Sequence, residues 1–285
     1  MPELPEVETV RRTLEPAIVQ QTISGLTVGA FSGVLGGMEP ELANALLTGR
    51  RVRSIRRRGK YLLIDLDDGS GIEVHLRMTG HIELAPVERD PIRFQHLALH
   101  FENGIDLRFA DQRKFGRVIV HAGNPELGLK TKLGPEPLSS DFTSVVLAAI
   151  LGKRYAPIKS ALLDQKAIAG IGNIYADEAL FLSRIHPLRP AKSLTPEEIR
   201  KLHRNIRRVL NSGLEHRGTT FSSYRDANGE SGENQQHLYV YGRGRSGGAC
   251  PHCGHPLTHL VISARTSHFC PNCQRLPSGD SSAAI

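Results

Sequence analysis

The chain has 285 residues, 39% of them hydrophobic and 23% charged, a balance that excludes a disordered chain or a mini-protein and suits two domains or one large one. No stretch approaches the roughly eighteen uninterrupted apolar residues of a membrane helix, and MPELPEVETV carries acidic residues where a secretory signal has a basic and then an apolar region, so the expected location is cytoplasmic. Net charge is +7, from 36 Lys and Arg against 29 Asp and Glu, which points to an anionic partner and puts nucleic acid first among them.

From Glu3, the spacing of Val7, Val10, Leu14 and Ile18 predicts a helix. The period then changes. Residues 61–66, 71–78, 94–101, 105–109 and 117–121 read as short strands, with Asp68-Gly69 and Asn103-Gly104 as hairpin turns. Such a run suggests an antiparallel β-sandwich. The Gly- and Pro-rich stretch 123–138 is the expected interdomain linker. Beyond it Asp141 is placed to cap a helix through residue 151, 173–182 forms another, and Thr195-Pro-Glu-Glu opens a longer one ending near Gly213. Residues 218–236 are polar throughout and read as a mobile loop, after which the strand-like HLYVY leads into the cysteines.

The four cysteines form two pairs, Cys250-x-x-Cys253 and Cys270-x-x-Cys273, with sixteen residues, 254 through 269, between them. This is the spacing of a four-cysteine zinc ribbon, and four thiolates with no open position make the metal structural. His252, His255, His259 and His268 lie nearby and read as surface or DNA-facing residues. Positive charge is densest at Arg50, Arg51, Arg53, Arg56, Arg57, Arg58 and Lys60, and recurs at Arg113, Lys114, Arg117, Lys201, Arg204, Arg207 and Arg208. One such run alone is equally a solvated strand edge. Recurrence in both halves favours a cleft, and about six phosphate contacts there give a log–log salt slope near −5 on duplex DNA.

Pro2 follows the initiator Met1, and removal of a methionine before a small residue exposes a secondary amine. Pro2 is otherwise simply a helix-starting proline. An α-amino group has a pKa of about 8, against about 10.4 for lysine, so near neutrality it is far richer in the nucleophilic neutral form. Glu3 and Glu6 place carboxylates within one turn of that amine, where acids serve either proton transfer or the helix dipole.

PELPEVET, RRRGKYLL, HLRMTG, DQRKFG, IKSALLDQKAIAGIGNIYADEALF, LYVYGR and the cysteine pairs together resemble the bacterial formamidopyrimidine-DNA glycosylases over residues 2 to 275. The resemblance implies an α+β protein. An amino-terminal antiparallel β-sandwich with its terminal helix (2–122) and a linker (123–138) precede a helix-two-turn-helix domain (139–236) that includes a lesion-capping loop (218–236). A β-hairpin zinc finger (237–275) follows, and DNA is gripped between the domains; the Ser- and Ala-rich tail (276–285) reads as disordered from its composition. It implies a bifunctional glycosylase and AP lyase for oxidised purines, with one structural zinc, acting as a monomer on duplex DNA that contains oxidised bases or abasic sites, and nucleoid-associated when bound.

By motif, Pro2 is implied as the nucleophile, Glu3 as the acid for sugar opening, Glu6 as support, and Lys60 as a phosphate contact or proton donor. An extruded base leaves a hole to be filled. Met78, Arg113 and Phe115 are implied as the fillers, although alternation with Ile72, Val74 and Leu76 by itself puts Met78 in the core. His75, Lys159, Asn173, Tyr241 and Arg265 are implied backbone contacts. Ile262-Ser263-Ala264 precedes Arg265 where many relatives have a glycine-rich turn. The alternatives are an endonuclease VIII-like enzyme for oxidised pyrimidines, from which the PELPEV start and Arg113 with Phe115 argue away, and a non-catalytic zinc-ribbon DNA-binding protein, which leaves a free Pro2 beside Glu3 unexplained.

Overall fold

The computed structural model describes residues 1–222 and 224–276. The tail expected from 276 lies, beyond Leu276, outside the described residues. The chain divides into two compact units, residues 1–131 with 213–235 and residues 132–212 with 236–285. The first division falls inside the linker stretch. Among the described residues no helix is long and apolar enough to cross a membrane.

The first unit is a β-sandwich. One four-stranded sheet has the order β1 (Ile23–Val28), β6 (Gln95–Phe101), β7 (Ile105–Asp111), β5 (Gly80–Pro86); the other is β2 (Val52–Arg58), β3 (Tyr61–Leu66), β4 (Gly71–His75), β8 (Arg117–His121). All pairings are antiparallel. Alternation puts Ile64, Ile72, Val74, Val118 and Val120 of one sheet against Leu97, Leu99 and Leu107 of the other. Helix α1 (Leu4–Ile18) buries Val7, Val10, Leu14 and Ile18 in the same core and lies against β2 and β3. Five of the six residues of β3 are buried. Gly69 (φ 85°) and Gly104 (φ 77°) turn the two expected hairpins.

Several elements escape the sequence pattern. The arginine-rich run is strand β2, at the edge of its sheet, and much of its charge is paired internally. Arg50 meets Asp68, Arg56 meets Asp65 and Glu126, and Arg57 meets Glu8. A charged edge resists pairing with a second chain, so part of this run serves the sheet rather than a polyanion. Strands β1 and β5 and the short helix α2 (Pro40–Leu47) also lay outside the expected elements. Strand β4 stops at His75, short of the expected 78, because Arg77 adopts a left-handed φ of 57°.

The second unit is mostly helical: α3 (Ser144–Leu151), α4 (Ile158–Leu163), α5 (Asn173–Ser183) and the greater part of α6 (Pro196–Glu215), followed by the hairpin β9 (Thr258–Ile262) and β10 (Arg265–Phe269). Thr143, not Asp141, caps α3, accepting from the Val146 amide. HLYVY is not a strand. The amides of Tyr239, Val240 and Tyr241 all donate to the carboxylate of Glu178 at 2.7–2.9 Å, so one buried side chain takes the place of a strand partner. Burial pushes the Glu178 carboxyl up to about 7 against the pull of those three donors.

Candidate active site and nucleic-acid interface

Glu3 is the N-cap of α1, and Pro2 is buried beside it. Glu3 and Glu6 form a capping box, in which the Glu3 amide donates to Glu6 Oε2 at 2.9 Å. Both residues are 2% exposed. Glu6 Oε1 accepts from the Thr219 amide at 2.7 Å, and the Tyr224 hydroxyl donates to the Glu6 carbonyl at 3.2 Å. One carboxylate therefore fixes the start of the chain and the base of the 218–236 segment together. Gly218 makes room for this contact: it sits at φ +86°, and a Cβ there would meet Glu6 Cγ at 3.0 Å.

The 218–236 segment is more firmly held than its composition suggests. Thr219 Oγ1 accepts from Asn234, Thr220 Oγ1 accepts from the Gly232 amide, and the Thr220 amide donates to Gln235. In mid-segment, the Ala227 amide donates to Thr13 Oγ1, and the Ala227 carbonyl accepts from the Leu84 amide at 2.8 Å. Polar composition signals a segment with no core of its own; it does not show that α1 and β5 supply partners.

Lys60 closes the β2–β3 turn beside Gly59 (φ 57°) and is buried. Its charge reaches His75, which is packed edge-on against Tyr61 with ring centroids 4.3 Å apart. Burial, with Arg77 and Lys60 adding repulsion, pushes the His75 imidazole down to about 3. Nδ1 accepts the Arg77 amide at 3.0 Å, so the neutral ring carries its proton on Nε2 and presents a donor there. His75 thus presents a dipole rather than a charge.

Met78 is 38% exposed, not core as alternation alone had it. The left-handed Arg77 flips the side-chain order after Leu76 and carries Met78 to the surface. There Arg113 Nη1 lies 3.0 Å from the Met78 sulfur, and the Arg113 guanidinium stacks 4.8 Å over the ring of Phe115, itself 49% exposed. The three expected fillers form one cluster.

In the second unit, Asn173 begins α5 after the Gly172 N-cap, and its amide group donates to the Thr266 carbonyl and, at 3.5 Å, to the Tyr241 hydroxyl. Lys159 is fully buried. Its ammonium pairs with Asp177 at 2.5 Å and donates to the Asn173 carbonyl at 2.9 Å, while Asp177 accepts from Ser267 and the His268 amide. The structure therefore places Lys159 under the α5–hairpin junction, not on a surface where it would meet phosphate, because a buried Asp177 demands a cation. Arg265 is exposed and follows a two-residue turn whose residues, Ser263 (φ 49°) and Ala264 (φ 58°), are both left-handed without glycine. A 2.8 Å contact between Ser263 and Ser160 hydroxyls helps hold it.

The four cysteine sulfurs all lie within 4.8 Å of one another, with Cys250–Cys273 at 3.9 Å and Cys253–Cys270 at 3.6 Å. Sulfurs bound to zinc at about 2.3 Å in a tetrahedron stand about 3.8 Å apart. The cluster fits one zinc with every position filled by protein, and amides of His252 and Cys273 donate to two of the thiolates.

Three family models match in order: the formamidopyrimidine-DNA glycosylase N-terminal domain over residues 1–118, the formamidopyrimidine-DNA glycosylase H2TH domain over 133–225, and a zinc finger found in FPG and IleRS over 247–276. The formamidopyrimidine-DNA glycosylase of Herpetosiphon aurantiacus is 46% identical over 274 residues, 96% of this chain and 100% of the relative. The chain belongs to the formamidopyrimidine-DNA glycosylase family. A MutM structure in complex with DNA containing carbocyclic 8-oxo-G superposes with a TM-score of 0.88 at 36% identity, covering 96% of this chain and 100% of that one. A Lactococcus lactis FPG mutant bound to Fapy-dG DNA superposes at 0.89 with 36% identity and the same coverage. The zinc-finger match and the sulfur geometry agree on one structural zinc.

Residues that sequence reasoning did not single out do much of the holding. Asp111, Asp177, Glu178 and Tyr224 are buried partners of the expected site residues; for the three acids the signal available was their place inside DQRKFG and IKSALLDQKAIAGIGNIYADEALF, and Tyr224 gave none.

Two outcomes are expected. Gly218→Ala, which puts an L-residue at φ +86° against Glu6, should cost about 1–2 kcal/mol of stability and slow turnover, read by denaturant unfolding and by base-release kinetics. Cys253→Ser should lower bound zinc from one per chain toward none, measured by metal analysis after desalting, and weaken DNA retention in a shift assay.

Proposed function

We propose that this chain is a bifunctional DNA glycosylase and AP lyase that excises oxidised purines, 8-oxoguanine and formamidopyrimidines, from duplex DNA. The observation that carries the reading is the buried Pro2-Glu3-Glu6 start of α1, locked by Glu6 to the base of the 218–236 segment, in a family whose relatives are seen bound to 8-oxo-G and Fapy-dG DNA.

Once Met1 is removed, the neutral Pro2 nitrogen bonds to C1′ of the damaged nucleotide as the base departs with the glycosidic electron pair. Glu3 supplies the proton that opens the sugar ring. The resulting iminium acidifies C2′; loss of that proton expels the 3′ phosphate, and a second elimination expels the 5′ phosphate. Water then frees the amine, leaving a one-nucleotide gap. Lys60 neutralises charge at the phosphates. Met78, Arg113 and Phe115 occupy the hole left by the extruded nucleotide, Arg113 hydrogen-bonding the orphaned cytosine. His75, Asn173, Tyr241 and Arg265 hold the DNA backbone. Lys159 acts indirectly, by setting the first turn of α5. The sandwich carries the nucleophile and also the 218–235 segment, expected in the helical domain, while the helical unit carries the zinc finger.

Borohydride reduction during turnover should trap a covalent complex between the enzyme and DNA containing 8-oxoguanine opposite cytosine, and mass spectrometry should place the bond on the Pro2 nitrogen. Retained Met1, which turns the Pro2 nitrogen into an amide, should abolish the adduct while leaving salt-sensitive binding largely intact. An adduct on an internal lysine, or none with the wild-type chain, refutes the mechanism. Faster cleavage of thymine glycol than of 8-oxoguanine would turn the assignment to the endonuclease VIII type.

A further inference from the structure

Strands β5 and β7 pair so that Gly80 faces Asp111, which brings the turn after Leu76 and the turn after β7 side by side. Asp111 is 1% exposed, yet it is not part of the hydrophobic core; its carboxylate collects four donors from these two turns. Oδ1 accepts from the Thr79 hydroxyl at 2.5 Å and the Arg113 amide at 3.1 Å, and Oδ2 accepts from the amides of Phe115 at 2.8 Å and Gly116 at 2.7 Å. Burial by itself would raise this carboxyl; Thr79 and the three amides hold it below the usual carboxylate range. Thr79 adjoins Met78, and the three amides belong to or flank Arg113 and Phe115.

We infer that Asp111 is the positioning residue of the stack-filling cluster: by holding both turns through one carboxylate, it keeps Met78, Arg113 and Phe115 assembled before DNA arrives. The inference rests on the proposed filling role of those three side chains. Its physical basis is the demand of a desolvated carboxylate for donors. With water excluded, Asp111 has to be satisfied by these two turns, and satisfying it fixes Lys114 in a left-handed conformation (φ 59°) and Gly116 against Phe109, where a Cβ would meet the ring at 2.4 Å. The Arg113–Phe115 stack and the Arg113–Met78 contact follow from that backbone. An assembled filler saves the entropy of ordering three long side chains at the moment of extrusion.

Asp111→Asn keeps the shape but turns one oxygen into a donor, so whichever way the amide lies, two of the four donors face an NH2 group. Excision of 8-oxoguanine opposite cytosine in a duplex should fall by about tenfold or more. Cleavage of a single-stranded abasic oligonucleotide, which has neither partner base nor hole to fill, should stay within about twofold of wild type. A 2-aminopurine opposite the lesion should report slower or incomplete filling. Thr79→Val, which removes one donor on the Met78 side, should move the same duplex-to-single-strand ratio in the same direction by a smaller factor, and it decides the matter if Asp111→Asn does not fold. An unchanged ratio, whether both rates fall together or neither falls, overturns the inference. Failure of the wild-type enzyme on both substrates would instead strike the proposed function.

Discussion

A carboxylate taken out of water must be given donors, and that requirement organises each functional segment of this chain. Burying an ionised carboxylate without partners costs far more than any one packing contact returns. Glu6, Asp111, Asp177 and Glu178 are all buried, and each draws in backbone amides: Glu6 those of Glu3 and Thr219, Asp111 those of Arg113, Phe115 and Gly116, Asp177 that of His268, and Glu178 those of Tyr239, Val240 and Tyr241. Irregular backbone cannot pair with itself as a helix or sheet does. An acceptor of this strength lets loops be held nearly as firmly as the strands they join.

Zinc plays the same part where even carboxylates run short. Around the hairpin the core is small: Phe181, Val240, Leu257 and two of the cysteines themselves. So few apolar side chains cannot offset the entropy of ordering the segment, and metal ligation supplies the difference. Asp177, through Ser267 and His268, and Asn173, through the Thr266 carbonyl, then tie the hairpin to the start of α5. Lys159 balances Asp177 from beneath. Removing either partner of that pair would leave a buried charge, a loss of about 3–5 kcal/mol.

Much of this was legible in the sequence, and the exceptions share a cause. Helix α1 announced itself because Val7, Val10, Leu14 and Ile18 recur on one face, and β3 and β8 because their apolar runs end at turns. Strand β2 was hidden because arginines fill positions whose partners, Glu8, Asp65 and Glu126, are distant in sequence. HLYVY has β-forming residues but finds its acceptor in Glu178, some sixty positions away. Met78 was misplaced by alternation because one left-handed residue, Arg77, ends the strand. The chemistry-bearing residues were readable as types: four cysteines at ribbon spacing, two acids behind an exposable proline. The supports were not, since nothing local says that Glu6 will meet Thr219 or that Asp111 will meet Thr79. Lys159 reads as a phosphate contact only until Asp177 is seen against it.

A contrast in how rigidity is distributed follows. The cluster of Met78, Arg113 and Phe115 stands on strand ends, one carboxylate and two left-handed residues, Arg77 and Lys114. Left-handed conformations cost a non-glycine residue about 1–2 kcal/mol each, and they persist where hydrogen bonds over-determine the backbone, as at the Arg77 amide on His75 and the Arg113 and Phe115 amides on Asp111. The 218–236 segment is instead tied at its base and at Ala227, with polar residues between. In the filling role proposed for it, this cluster arrives already shaped, because disorder there adds to the barrier for extruding a nucleotide. Under the proposed function that segment gains from some freedom over a varied lesion, provided that its base does not drift from Pro2, and the two oxygens of Glu6 meet that condition by holding the amides of Glu3, next to Pro2, and of Thr219.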